Sequence, residues 1–321
     1  MAKINLYNHQ PYPKETHRWG WNAVSQLIIE NFHDEEAPVM LDSLIEHTYR
    51  VGRDKGMDFS IFPHMKQKWI GMFHNPPYGN GPSLESLWEY NIFNLYLDRE
   101  FRGFMDNCIG LISMSKYWAL KTAELFKTTS FDVPVGFIHH PSGECDEKFN
   151  PDNFKRQVIH VGFWMRNFES FFRLKTKYKK ILLQGPGSYG TQPYYLSRKK
   201  IKTRHEYQPY EVIGYLDNNQ YDDIMSSSVV FIDLFESTAN NVIVECITRQ
   251  TPVLVNPNNS VVEYLGKDYP YYYFSLDEAG EKLEDEELMR ETSDYLKSRQ
   301  FLVSEKKFTK DLSYILNTWL D

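Results

Sequence analysis

Cysteine is scarce in this chain: Cys108, Cys145 and Cys246 are the only three among 321 residues. An odd number at wide spacing excludes a disulfide framework and a CxxC metal site, and it suits a reducing compartment. Long apolar runs are missing too, and none approaches the roughly 18 residues that span a bilayer. The opening MAKINLYNHQ has no basic segment followed by a long apolar core, as a secretory signal requires. These absences set the expectation of a cytoplasmic protein. No GxxxxGK[ST] loop is present, which argues against a P-loop phosphotransferase. No GxSxG elbow and no HExxH helix is present either, which removes two large hydrolase classes. Net basic charge is lacking: the formal charge is -7, and phosphate neutralisation needs a basic face. One local exception is the cluster Arg198, Lys199, Lys200, Lys202 and Arg204, and such runs are usually solvated faces.

What is present fits a globular protein: 41% apolar and 25% charged residues. Aromatics, at 16%, are abundant; most belong in the core, and some should line a site. The length allows two domains. Strand-like runs lie at Lys3 to Tyr7, Lys68 to His74, Gly110 to Met114 and Val135 to Ile138. Helical spacing covers Trp21 to Asn31 and Leu84 to Arg102, and Ser115 caps a helix over Lys116 to Phe126. A second series begins at Gln157, with strands at Val158 to Gly162, Lys180 to Gln184, Tyr210 to Ile213, Val229 to Leu234, Pro252 to Val255 and Tyr271 to Phe274. Strands alternating with helices predict βαβ units and mostly parallel sheets, an α/β fold. The Pro-, Gly- and Asp-bearing stretch 141–155 reads as a linker. The expected units are therefore a domain over 1–140, that linker, a domain over 156–300, and a C-terminal helix at 301–321 that could pack back on the first domain. Apolar anchors near the end are Leu288, Tyr295, Phe301, Leu312, Ile315 and Leu316. GPGSYG, Gly185 to Gly190, follows the second strand of its series and reads as a tight turn rather than a dinucleotide fingerprint.

The stretch SSSVVFIDLFESTANNVIVECITRQTPVLVNP carries the most chemistry. An apolar strand runs into the polar loop Phe235 to Asn241, and an amphipathic helix bearing Glu245 follows. Ser237, Thr238, Asn240 and Asn241 can cap that helix, and its free N–H groups can meet a diphosphate. Glu245, one turn in, can accept hydrogen bonds from the vicinal hydroxyls of a ribose. The same residues also have an ordinary explanation, as N-caps and a helix-face carboxylate.

This pattern resembles the nucleotide-sugar site of retaining GT-B glycosyltransferases, of the family 4 type. The resemblance covers most of the chain. It implies two Rossmann-like domains facing each other across a cleft, with the donor in the C-terminal domain and the acceptor in the N-terminal one. Glu245 matches the ribose-binding glutamate. The resembling pattern carries a second glutamate eight positions earlier, where this chain has Ser237, with Glu236 one residue further back. Either residue could face the donor sugar. VIHVGFWMRN (Val158 to Asn167) is similar to the first strand and loop of the nucleotide domain, which implies diphosphate roles for Gly162 and Arg166. The family's arginine follows the glycine directly, where Phe163 stands here. VIGYLDNNQYDD implies that Gly214, Tyr215 and Leu216 lie beside the base. His74, at the end of a strand, is placed by the resemblance against a sugar. A histidine there orients a hydroxyl or takes a proton near neutral pH. The loop after the first strand lacks the family's Gly-Gly pair and offers His9, Lys14, His17 and Arg18 for acceptor or phosphate. Trp19, Trp21, Tyr78 and Trp88 offer flat faces for stacking, or pack in the core.

The expectation is thus a metal-independent transferase without cofactor, moving a sugar from a nucleotide diphosphate to a glycan or glycoconjugate hydroxyl. No Asp-x-Asp pair is present, the device by which glycosyltransferases of the other main fold hold a cation. Two alternatives stand beside it. One is a viral-type DNA-base glycosyltransferase, favoured by the Arg198 to Arg204 cluster and opposed by the acidic total. The other is a noncatalytic sugar- or nucleotide-binding module, motivated by the irregular glutamate spacing.

Overall fold

The computed structural model describes residues 2–7, 20–76, 90–163, 165–183 and 207–320. His9, Lys14, His17, Arg18, Trp19, Tyr78, Trp88, the GPGSYG turn and the Arg198 to Arg204 cluster lie outside them.

The first sheet contains β1 (Asn5–Tyr7), β2 (Met40–Asp42), β3 (Trp69–Phe73), β4 (Cys108–Ser113) and β5 (Val135–Phe137), in that spatial order and all parallel. Every residue of β3, WIGMF, is buried. A parallel strand covered on both faces needs such a continuous apolar run. One face is covered by α1 (Trp21–Phe32), whose Val24, Ile28 and Phe32 meet Leu6, Leu41, Ile70 and Ile112. The other face carries α2 (Ile45–Asp54), the short α3 (Ile92–Leu95) and α4 (Arg99–Met105), and α5 (Lys116–Phe126). The strand β2 escaped the sequence reading because MLD is too short to show periodicity. The helix expected over Leu84 to Arg102 is, where described, two short helices. Asp98 ends the first by capping the second, accepting from the N–H groups of Glu100 and Phe101.

The second sheet contains β6 (Gln157–His160), β7 (Lys179–Leu183), β8 (Glu211–Ile213), β9 (Val229–Ile232) and β10 (Val253–Val255). Its order is β10-β9-β6-β7-β8, again all parallel. Strand order therefore reverses between β6 and β9, and the crevice at the carboxyl ends of these two strands is the topological switch point. Around the sheet lie α6 (Phe168–Arg173), α7 (Asn218–Ser226), α8 (Asn241–Arg249), α9 (Asn259–Leu265), α10 (Leu276–Glu284) and α11 (Glu286–Lys297). Tyr271 to Phe274 is not a strand. Only Tyr272 bridges to Val255, and Tyr271, Tyr272 and Tyr273 are all buried, so the alternation of a half-buried strand is absent. Phe301, expected as an apolar anchor, is 63% exposed.

The last helix, α12 (Glu305–Leu320), returns to the first sheet. Phe308, Leu312, Ile315 and Leu316 join the cluster built on α1. A Cβ at Gly110 would lie 2.3 Å from the ring of Trp319, so glycine on β4 lets that indole approach the sheet.

Candidate functional site

The switch point is lined by the segments leaving β6 and β9. Gly162 has φ 75°, in the left-handed region. A Cβ there would meet Arg166 Cζ at 2.9 Å, so glycine makes room for the guanidinium. Arg166 is buried and donates from Nη2 to Asn240 Oδ1 at 3.2 Å. Asn240 is the N-cap of α8, and the same oxygen accepts from the N–H groups of Val242 and Ile243. Among the described residues, none accepts a hydrogen bond from the backbone N–H of Thr238, Ala239, Asn240 or Asn241. A buried guanidinium thus meets the capped N-terminus of α8, beside a segment whose N–H groups have no acceptor among the described residues, and each such group attracts an anion.

The two exit segments are tied together. Phe235 N–H donates to Met165 O at 2.9 Å and Asn167 N–H to Asp233 O at 2.8 Å. The Asp233 carboxylate accepts from Asn167 Nδ2 at 3.0 Å and from the Ser170 hydroxyl. Burial raises the Asp233 carboxyl above its ordinary value, opposed by those donors.

Glu245 lies on α8, buried to 8% exposure. Tyr221 of α7 donates its hydroxyl to Glu245 Oε2 at 2.6 Å, and Arg249 Nη1 lies 3.9 Å from the same oxygen. Arg249 has no exposed surface and donates to Asp222 Oδ1 at 2.6 Å. α7 is well nucleated: Asp217 and Gln220 form a reciprocal capping box. Gly214, Tyr215 and Leu216 connect β8 to that cap. Among the described residues, nothing lies within 4 Å of a Cβ at Gly214. Tyr215 is 54% exposed, and Leu216 packs on the second core. The segment assigned to the base is therefore an open ledge one helix away from Glu245.

On the opposing side, His74 follows β3. Its N–H donates to Glu46 Oε2 at 2.8 Å and its ring donates from Nε2 to Ser43 O at 2.8 Å. Burial holds its pKa down at about 4, so the ring is neutral near pH 7 and is not poised to take a proton there. The role of orienting a hydroxyl through Nδ1 is compatible with this tautomer. Trp21 meets His74 edge to face, with centroids 4.2 Å apart. Glu236 is half-buried, its Oε1 accepts from Ser237 N–H at 3.0 Å, and burial raises its pKa.

The 235–241 loop touches the first half directly. Thr238 donates its hydroxyl to His74 O, and Trp118 Nε1 donates to Ser237 O at 2.9 Å. A Cβ at Gly20 would lie 3.3 Å from Asn241 Nδ2. The structure thus gathers Gly162, Arg166, Ser237, Thr238, Asn240, Asn241 and His74 around one junction, with Glu245 and the Gly214 to Leu216 ledge to its side. Trp118, Tyr221 and Glu263 were missed by sequence reasoning. Glu263, on α9, accepts from Lys116 N–H at 2.7 Å, Tyr117 N–H at 3.2 Å and Ser115 Oγ at 2.9 Å, and pairs with His139 Nε2 at 2.9 Å. It caps a helix 148 positions away from it, a pairing with no local signal.

No protein-family model matches the chain, and no curated protein matches its sequence. Solved structures do match by shape. Sucrose-phosphate synthase from Thermosynechococcus elongatus superposes with a TM-score of 0.62 at 12% identity, over 89% of this chain and 75% of that one. Anabaena HepE in complex with UDP and glucose gives 0.61 at 11% identity, over 93% and 82%. The pneumococcal O-GlcNAc transferase GtfA, in complex with UDP and GlcNAc, gives 0.56 at 9% identity over 88% of this chain, which spans only 57% of GtfA. The chain has the GT-B fold of these glycosyltransferases.

Proposed function

We propose that this protein is a glycosyltransferase that moves a sugar from a nucleotide diphosphate to an acceptor hydroxyl. The observation that carries the reading is the meeting of Arg166 and the Asn240-capped N-terminus of α8 at the switch point, beside the N–H groups of Thr238 to Asn241, for which no described residue is an acceptor. That arrangement suits a diphosphate, and in this reading its positive charge offsets the charge that a leaving diphosphate gains. Glu245, oriented by Tyr221, serves the ribose, and the Gly214 to Leu216 ledge serves the base. Transfer without a metal ion is part of the reading, because protein groups supply the offsetting charge. So is retention of anomeric configuration, with Glu236 or Ser237 at the sugar. The acceptor lies on the side of His74 and Trp21, and the contacts of the 235–241 loop with the first half exclude water when donor is bound.

Isothermal titration with UDP, GDP and ADP tests the donor site. Failure of all three to bind at millimolar concentration would falsify the proposal. Release of nucleoside diphosphate from a panel of nucleotide sugars, with and without acceptor sugars, separates a transferase from a binding module.

A further inference from the structure

The peptide between Ser237 and Thr238 lies at the start of the anion site, and the first half of the molecule grips it at two points. The indole N–H of Trp118, a residue 2% exposed, donates to the Ser237 carbonyl at 2.9 Å, and the Thr238 hydroxyl donates to His74 O. Trp118 stands on the first turn of α5. That turn is pinned by Glu263, which accepts from Ser115, Lys116 and Tyr117. Ser260 Oγ bonds Ser115 Oγ at 3.2 Å, and Tyr264 donates to Met114 O at 2.8 Å. The indole is therefore held at a fixed point relative to the second half.

A trans peptide is planar, and its C=O and N–H point in opposite directions. Holding the Ser237 carbonyl toward α5 therefore aims the Thr238 N–H away from it. That N–H is the first of the four, Thr238 to Asn241, for which no described residue is an acceptor, and Thr238 itself is 2% exposed. We propose that Trp118 is a positioning residue for the anion site: by fixing the Ser237–Thr238 peptide it presents the Thr238 N–H to the diphosphate of the ligand. The proposal rests on the nucleotide-sugar reading. It makes diphosphate recognition depend on a residue of the opposite half that does not touch the nucleotide. Phenylalanine at 118 keeps an aromatic ring but loses the donor. The buried carbonyl is then unpaired and the peptide is free to turn toward other donors.

The test is isothermal titration of the wild-type protein and Trp118→Phe with UDP, GDP and ADP, each beside its parent nucleoside. For the diphosphate that the wild type binds, the variant should bind about tenfold more weakly, the worth of one hydrogen bond to a charged group. Its nucleoside affinity should stay within about twofold, since ribose and base are held elsewhere. Thr238→Val, which releases the same peptide from its second anchor, should show the same split, and it replaces Trp118→Phe if that variant does not melt cooperatively. Unchanged diphosphate affinity, or an equal loss for diphosphate and nucleoside, overturns the positioning role. A wild type that binds none of the three diphosphates overturns the nucleotide reading itself and this proposal with it, and the wild-type arm alone reveals that outcome.

Discussion

Tyr221 donates its hydroxyl to Glu245 Oε2 across 2.6 Å, linking the start of α7 to α8. The bond orients a buried carboxylate that already feels Arg249 at 3.9 Å. An oriented carboxylate binds a ribose diol at less entropic cost than a free one. Tyr221→Phe should therefore weaken nucleoside diphosphate binding about fivefold, and Glu245→Ala about tenfold or more, with circular dichroism unchanged. Titration calorimetry checks both. Unaltered affinity in Glu245→Ala would remove Glu245 from the site.

Arg166 makes the opposite test, because the proposed reading gives it the phosphates. Lysine keeps the charge but not the planar fork that reaches Asn240 and an anion together. Arg166→Lys should weaken diphosphate binding at least about tenfold while leaving the nucleoside almost untouched. An equal effect on both ligands would mean that the arginine only supports the loop.

The pair Arg249–Asp222 is a matter of stability. The guanidinium is fully buried and its bond to Asp222 is 2.6 Å long. Removing one partner of a buried pair leaves an uncompensated charge and typically costs about 3–5 kcal/mol. Asp222→Ala should lower the urea midpoint accordingly. A loss of less than about 1 kcal/mol would show that the cation's other neighbours, Glu245 and the Tyr221 ring among them, hold it without Asp222.

Stability should also depend on pH in two directions. Burial raises the Glu46 carboxyl from 4.5 to about 8, against the pull of the Asn75 and His74 N–H groups. Its folded pKa lies above its unfolded one, so the contribution is complete below about pH 4.5 and is lost as pH rises to about 8. One proton of difference gives a slope of at most about 1.4 kcal/mol per pH unit. Burial moves His74, His140 and His160 the other way, to about 4, 4 and 3. Their contributions are present above pH 6.5 and are lost as pH falls through those values. Urea midpoints from pH 4 to 8.5 should rise and then fall. Glu46→Gln should flatten the alkaline limb and steepen the acid limb above about pH 4.5, and an unchanged alkaline limb would show that Glu46 is ionised in the native state.

Much of the site was legible because its residues are local. The strand β9, a polar loop, the cap Asn240 and a helix bearing Glu245 are contiguous, and capping chemistry reads directly from such a run. Gly162 and Arg166 were legible for the same reason, as a glycine and an arginine after an apolar strand. Trp118 and Glu263 were not. Each acts on backbone far away in sequence, and an indole or a carboxylate on an amphipathic helix has no feature that names its partner. His74 was half legible: its place at a strand end could be read, but its neutral state follows from burial among Trp21, Ser43 and Glu46.

By itself, the sequence determined two series of apolar strands alternating with helices, hence parallel sheets, because periodicity and caps are properties of neighbouring residues. The order β10-β9-β6-β7-β8, and with it the position of the switch point between β6 and β9, was decided only in the tertiary structure. So was the grip of Trp118 and His74 on the 235–241 loop. Strand order and contacts between the two halves depend on which surfaces bury each other, and burial is a property of the whole chain.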